Sequence, residues 1–218
     1  MRLVARRALE LELDLRVVVA SDDERVLEAV APLGVEGVLT SPDLGSGTER
    51  VAAVAALARF AGSGIVLNVQ GDEPFFPLEA ALGAVERARC GDAIGTAAAP
   101  LAQSDLMDPN RVKVVVDGTG RALRFSRVLP ASGAWACQVE VLHHIGIYAY
   151  ERRALERWVK LRPAPQEITE GLEQLRPLAH DIPIGVARLE NAAPGGVDTE
   201  EDLAVAERYA DTMSQRVG

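Results

Sequence analysis

The sequence has little with which to cross-link, ligate a soft metal or enter a membrane. Of its 218 residues only two are cysteine and three histidine. Cys90 and Cys137 stand far apart with no second Cys or His at ligand spacing, which excludes a disulfide scaffold and a zinc site. No apolar run approaches the roughly 18 residues needed to span a bilayer. The opening MRLVARRALELELDL lacks both the unbroken apolar core and the cleavage site of a secretory signal, so a cytoplasmic location is expected. Positive charge is also scarce. Asp plus Glu number 32 against 23 Lys plus Arg, a net charge of −9 that opposes binding to nucleic acid or an anionic membrane. What remains is 48% hydrophobic and 25% charged, the balance of a globular chain rather than a disordered one. A single domain over residues 1–218 is expected.

Residues 2–12 read as a helix entered without a cap. Leu15–Ala20 is a β-branched run stopped by Ser21-Asp22-Asp23, where Asp22 or Asp23 can cap a helix over Glu24–Ala31 that Pro32 and Gly34 end. A short strand at Gly37–Thr40 leads to the loop SPDLGSGTER, followed by an apolar helix starting near Thr48 and running to Phe60. Ile65–Val69 is nearly continuous apolar sequence, as in strands buried on both faces of a parallel sheet. A helix over Leu78–Arg89, strands at 94–99, 112–116 and 122–126, and a strand HIGIYAY follow. Helices are predicted over Arg152–Lys160, Glu167–Leu175 and Glu200–Met213, with a strand near Ile184–Arg188. This alternation predicts an α/β fold with a doubly wound, mostly parallel sheet, interrupted by an excursion over about 126–176.

Several segments carry polar residues where such sheets bind ligands. In VQGDEP (69–74), Asp72 lies just past a strand's carboxyl end, placed either to hold a divalent cation or to cap the next helix. Gly195-Gly196-Val197-Asp198-Thr199 offers close backbone approach, although helix capping is the simpler reading. GSGTER (45–50) presents flexible backbone, two hydroxyls and Arg50 at a helix start, suited to reading a planar polar ring. Strand alternation sends His144 and Tyr148 to one face, where a structural pair is equally possible. Glu173 and Gln174 on a helix would ordinarily be a solvated polar run.

The order of these segments in one chain is more specific than any of them alone: SGTER, VQGDEP, Pro109-Asn110 with Val112-Lys113, FSR (125–127), HxGIYAY, LEQLR and GVDTxEDL. From Arg16 to Ala210 this series resembles the 3-deoxy-manno-octulosonate cytidylyltransferases, the CMP-Kdo synthetases of lipopolysaccharide assembly. The resemblance implies a nucleotide-diphospho-sugar transferase-like fold. It also implies transfer of CMP from CTP to the anomeric hydroxyl of Kdo with release of pyrophosphate, dependent on Mg²⁺. By similarity, Asp72 and Asp198 hold the metal, and Ser46, Gly47, Thr48, Arg50 and Gln70 with Asp72 surround the nucleotide. His144, Tyr148, Glu173 and Gln174 would contact the acid sugar, and Lys113 and Arg127 would join Asp72 and Asp198 as catalytic residues. A homodimer is implied too, although the segment between Arg127 and His143 is short for the family's dimer-forming excursion. The family's opening strand and basic, Gly-containing phosphate loop have no counterpart: no glycine precedes Gly34 and no lysine precedes Lys113. The expectation is a sequence that starts internally, an open sheet edge where that strand would lie, and no transferase activity from the 218 residues alone. Competing readings are another nucleotide-sugar enzyme, such as a CMP-sialate synthetase or a glycosyltransferase, and a non-catalytic nucleotide-binding relative. A glycosyltransferase of this fold usually carries an Asp-x-Asp pair, which QGDEP lacks.

Overall fold

A computed structural model describes residues 1–129, 139–193, 196–197, 199–200 and 202–208. The chain opens with α1 (Arg2–Leu9), which has no side-chain cap. β1 (Val18–Ser21) is followed by α2 (Glu24–Val30), capped by Asp23, whose carboxylate accepts from the Arg25 amide at 2.9 Å. A 3-10 turn bearing Pro32 ends α2, and Gly34 leaves it at φ 72°, the left-handed region open to glycine. β2 (Glu36–Leu39) then pairs parallel with β1. α3 (Gly47–Ala55) starts where expected but stops short of Phe60, which sits in a separate 3-10 turn.

The larger sheet holds β3 (Ile65–Val69), β4 (Ile94–Pro100), β5 (Lys113–Val116), β6 (Ala122–Ser126), β7 (Glu140–Glu151) and β8 (Ile184–Arg188). Its spine is β7. One edge of β7 pairs with β4, while the other is shared by β5 along residues 140–143 and β3 along 147–151. The α/β class therefore holds, and β3, β4, β5 and β8 share one direction. The ladders are nevertheless mixed, because β7 lies antiparallel between them; among the described residues only β1–β2 and β4–β8 are parallel pairs. β3 is correspondingly half-buried rather than sealed on both faces. Among the described residues no ladder joins β1 and β2 to the larger sheet. α1 helps to span the two parts: Val4 packs with Phe76 and Ala80, and Ala5 with Val19 and Val30.

Alternation along β7 builds two cores. Tyr148 and Tyr150 pack with Phe125, α5 (Arg152–Trp158) and α7 (Leu175–Ala179) on one face. Ile145, Ile147 and Ala149 pack with α4 (Leu78–Arg89) on the other. α4 lies so close that a Cβ at Gly95 would fall 1.9 Å from the Ala84 carbonyl oxygen. The helix expected over Glu167–Leu175 is broken: α6 (Pro165–Glu170) ends at Gly171, φ 64°, and α7 starts afresh, leaving Glu173 and Gln174 in the intervening turn. The helical residues 202–208 start behind Thr199, which exchanges hydrogen bonds with Asp202 at 2.9 and 3.1 Å, the capping role foreseen for that segment.

Candidate active site

The polar turn after β3 carries Gln70, Asp72 and Glu73. Asp72 is half-buried and does not cap α4, whose N-cap is Pro77 without a side-chain bond. The turn is tied down on two sides. Glu73 Oε1 accepts from the Gly146 amide at 3.3 Å, and the Asp72 carbonyl accepts from the Val197 amide at 2.8 Å. The Val197 contact brings the second glycine-bearing segment against the first. Asp198 itself lies outside the described residues, as does Cys137.

Gly146 is where β7 departs from regular pairing. Thr96 stands opposite Tyr148, yet Ala97 stands opposite Ile145, so Gly146 and Ile147 are extra residues in the β4 ladder, a bulge. A Cβ at Gly146 would come within 3.0 Å of Glu73 Oε1 and 3.5 Å of Gln70 Cδ; glycine lets both side chains lie over the strand. The bulge separates His144 from Tyr148 without parting them: their rings are 5.4 Å apart, and Phe125 meets His144 edge-on at 5.0 Å.

Burial decides the protonation states here. His144 is pushed down to about 3 by desolvation, reinforced by neighbouring His143, so its ring is neutral at any ordinary pH. Tyr148 is held well above the usual phenol value by burial, with Tyr150, Glu173 and Glu73 adding negative surroundings. It keeps its proton as a donor. These influences also place Glu173 and Glu73 in the electrostatic environment of one hydroxyl. Gln174, next to Glu173 in sequence, is buried. Tyr150, pushed up to about 12 by burial, faces Asn68 and Thr48 without reaching full hydrogen-bond geometry.

In the GSGTER segment, Ser46 caps α3 by accepting from the Glu49 amide at 3.2 Å, and Glu49 accepts from the Gly45 amide at 2.8 Å. Gly47 has open space where a Cβ would stand, and Thr48 is buried. Arg50 is held at the carboxyl ends of β1 and β2, donating to the Thr40 hydroxyl and pairing with Asp22 at 3.3 Å. Lys113 is fully buried, and its ammonium donates to the carbonyls of Asp108 and Arg127. Burial lowers its pKa. Arg127 in turn donates to the carbonyls of Glu170 at 2.9 Å and Pro109 at 3.1 Å. Lys113 and Arg127 thus belong to one network at the end of β6. Among the described residues, no cluster of three or more His, Cys, Asp or Glu stands ready as a metal cage.

Sequence reasoning singled out neither Glu73, which holds the bulge, nor Glu170, which bonds Ser126 and the Arg127 amide at 2.9 and 3.0 Å. It also passed over Thr96, whose hydroxyl touches His144 Nε2 at 3.0 Å. Only the glycine inside HHIGIYAY signalled any of this, since a strand glycine marks a bulge or a close approach. Arg176 closes the LEQLR segment that holds Glu173 and Gln174. It is buried in a fork with Glu167, at 3.1 and 2.9 Å from Nε, and this bond raises its pKa, with Glu173 and Glu49 contributing at longer range.

A cytidylyltransferase family pattern matches residues 1–184. The chain is 47% identical over 216 residues to the 3-deoxy-manno-octulosonate cytidylyltransferase of Gemmatimonas aurantiaca, spanning 96% of this chain and 83% of that relative. It is 47% identical over 204 residues to the protein of that name from Pseudomonas fluorescens, spanning 86% and 79%. A CMP:2-keto-3-deoxy-manno-octonic acid synthetase solved in complex with CTP superimposes with a TM-score of 0.84 at 33% identity, over 98% of this chain and 87% of that one. The inositol-1-phosphate CTP transferase of T. maritima, at TM-score 0.55 and 17% identity over 86% and 71%, shares the fold.

Proposed function

The chain belongs to the cytidylyltransferase family, and from that premise we propose that it transfers CMP from CTP to 3-deoxy-manno-octulosonate (Kdo) and releases pyrophosphate. The Kdo anomeric oxygen forms a bond to the α-phosphorus as the bond to the α,β-bridging oxygen breaks; that oxygen leaves with the pyrophosphate, and the hydroxyl proton passes to solvent. The observation that carries the reading is the joining of three separate segments: the turn after β3, the bulge of β7 and the 196–197 turn, bonded through Glu73 to Gly146 and through Asp72 to Val197.

The side chains divide the work by protonation state. With its pKa near 3, His144 is too weak a base to take a proton from a sugar hydroxyl at neutral pH, and Tyr148 is too weak an acid to give one. Both therefore bind and orient. With Glu173 and Gln174 they suit a polyhydroxylated acid, while Gln70 and the segment Ser46 to Arg50 suit the cytidine, main-chain groups and an amide matching its polar edges. Lys113 acts by holding the Arg127 carbonyl in place. Asp72, with Asp198 the next residue in sequence after the bonded Val197, offers hard oxygen donors of the kind Mg²⁺ takes alongside substrate phosphates. Bound there, the ion would neutralise triphosphate charge, which a protein of net charge −9 otherwise repels. A homodimer and a place in lipopolysaccharide assembly accompany the reading. No helix among the described residues is long and apolar enough to cross a membrane.

The test is pyrophosphate release with CTP, Kdo and Mg²⁺ varied separately. Release that requires all three supports the reading. Sialic acid turning over as fast as Kdo, or ATP as fast as CTP, replaces it with another nucleotidyltransferase. Substrate requirements are read from the ratios.

A further inference from the structure

The bulge of β7 turns the Ile147 carbonyl toward β4, and Thr96 Oγ1 lies 2.6 Å from that oxygen and 3.0 Å from His144 Nε2. All three groups are interior: Thr96 and Ile147 are 0% exposed and His144 6%. A hydroxyl has one proton, and a carbonyl has none to give. The 2.6 Å contact therefore takes the threonine proton, and Oγ1 faces His144 as an acceptor only. The proton in the 3.0 Å contact must then sit on Nε2. Since a neutral imidazole carries a single ring proton, Nδ1 is left with its lone pair, and among the described residues no group bonds it.

We propose that Thr96 is a positioning residue, fixing His144 as the Nε2–H tautomer so that Nδ1 accepts a hydrogen bond from a hydroxyl of the acid sugar. The inference rests on the reading of this pocket as the sugar-acid site and adds which part of the ligand faces the imidazole. A neutral ring with an open lone pair attracts a hydroxyl donor and offers nothing to a carboxylate, so His144 reads the polyol portion and leaves the acid group to other residues. Burial supports the same conclusion, since the ring does not acquire the charge that would reverse this preference. Glu73, by accepting from the Gly146 amide, holds the bulge that aims the Ile147 carbonyl.

The experiment is long-range ¹H–¹⁵N correlation of the histidine side chains in the full chain at pH 7. The three histidines are assigned with His144→Gln, and spectra are compared with Thr96→Val and Thr96→Ser, with and without Kdo. A protonated Nε2 and a bare Nδ1 are expected for His144 without ligand, with the Nδ1 resonance moving on addition of Kdo. Thr96→Ser, which keeps the hydroxyl, retains the tautomer. Thr96→Val mixes or reverses it and raises KM for Kdo about fivefold, the worth of one neutral hydrogen bond, with kcat and KM for CTP unchanged. A protonated Nδ1 in the wild type, or a Thr96→Val protein with the wild-type tautomer and Kdo response, overturns the proposal. An Nε2–H spectrum that Kdo leaves unmoved overturns the acid-sugar contact and, with it, the substrate reading, while Thr96 is retained as the group that sets the tautomer.

Discussion

Lowering the pH from 8 to 5 should destabilise the fold by about 4 kcal/mol through His143 and His144 alone. Both are buried, at 7% and 6% exposure. Desolvation drives His143 down to about 4, with the Arg111 charge adding to the effect, and His144 down to about 3. In the unfolded chain each titrates near 6.5. Above that value neither state holds the proton, and the two residues have no pH-linked effect. As the pH falls through 6.5 the unfolded state takes up two protons that the folded state refuses. The difference grows until the folded residues titrate near 4 and 3. By pH 5 each withheld proton has cost about 2 kcal/mol. Urea unfolding at pH 8 and pH 5 measures the total, and the same pair of curves for His144→Gln isolates one residue, because the carboxylates shared by both proteins cancel. The variant should lose about 2 kcal/mol less than the wild type over this interval. Equal losses in the two proteins would show that His144 is reached by solvent and protonates in the native state.

In a form carrying the family's opening strand and phosphate loop, Asp72→Asn should abolish Mg²⁺-dependent pyrophosphate release while moving Tm by no more than about 2 °C, as for a change outside the packed core; near-wild-type turnover would remove Asp72 from the metal site. Gly95→Ala should cost about 3 kcal/mol or more by denaturant unfolding, because the added methyl meets the Ala84 backbone oxygen rather than a movable side chain. Glu167→Ala leaves the Arg176 guanidinium buried without its fork and should cost about 3–5 kcal/mol in the same assay; a loss below 1 kcal/mol would mean that Glu173 and Glu49 replace the partner. In competition, CTP should exclude ATP and GTP strongly and UTP moderately, since an unpaired polar edge in the base pocket costs about 1–3 kcal/mol.

Local chemistry was sufficient for the elements whose ends are written in neighbouring residues. Ile65–Val69, Leu78–Arg89, Ala122–Ser126 and Ile184–Arg188 form over the spans their patterns mark, Asp23 and Ser46 cap the helices they precede, and period-two alternation puts His144 and Tyr148 together. The order of short motifs was enough to indicate the family, because each is a local string. Chain pairing decided the rest. Nothing in residues 140–151 announces that they insert antiparallel between β3 and β4, since an apolar strand satisfies its backbone equally well in either direction; that insertion turns a sheet of mostly like-directed strands into mixed ladders. Gly171 could stop a helix, but that Glu167 before the break would meet Arg176 after it, nine positions away, is a tertiary fact. The state of the site was also tertiary: His144 is neutral because the packed sheet excludes water, and its tautomer is set by Thr96, 48 residues distant. Sequence determines which groups a chain can offer, whereas desolvation and hydrogen-bond partnership depend on what the fold brings within three ångströms of them.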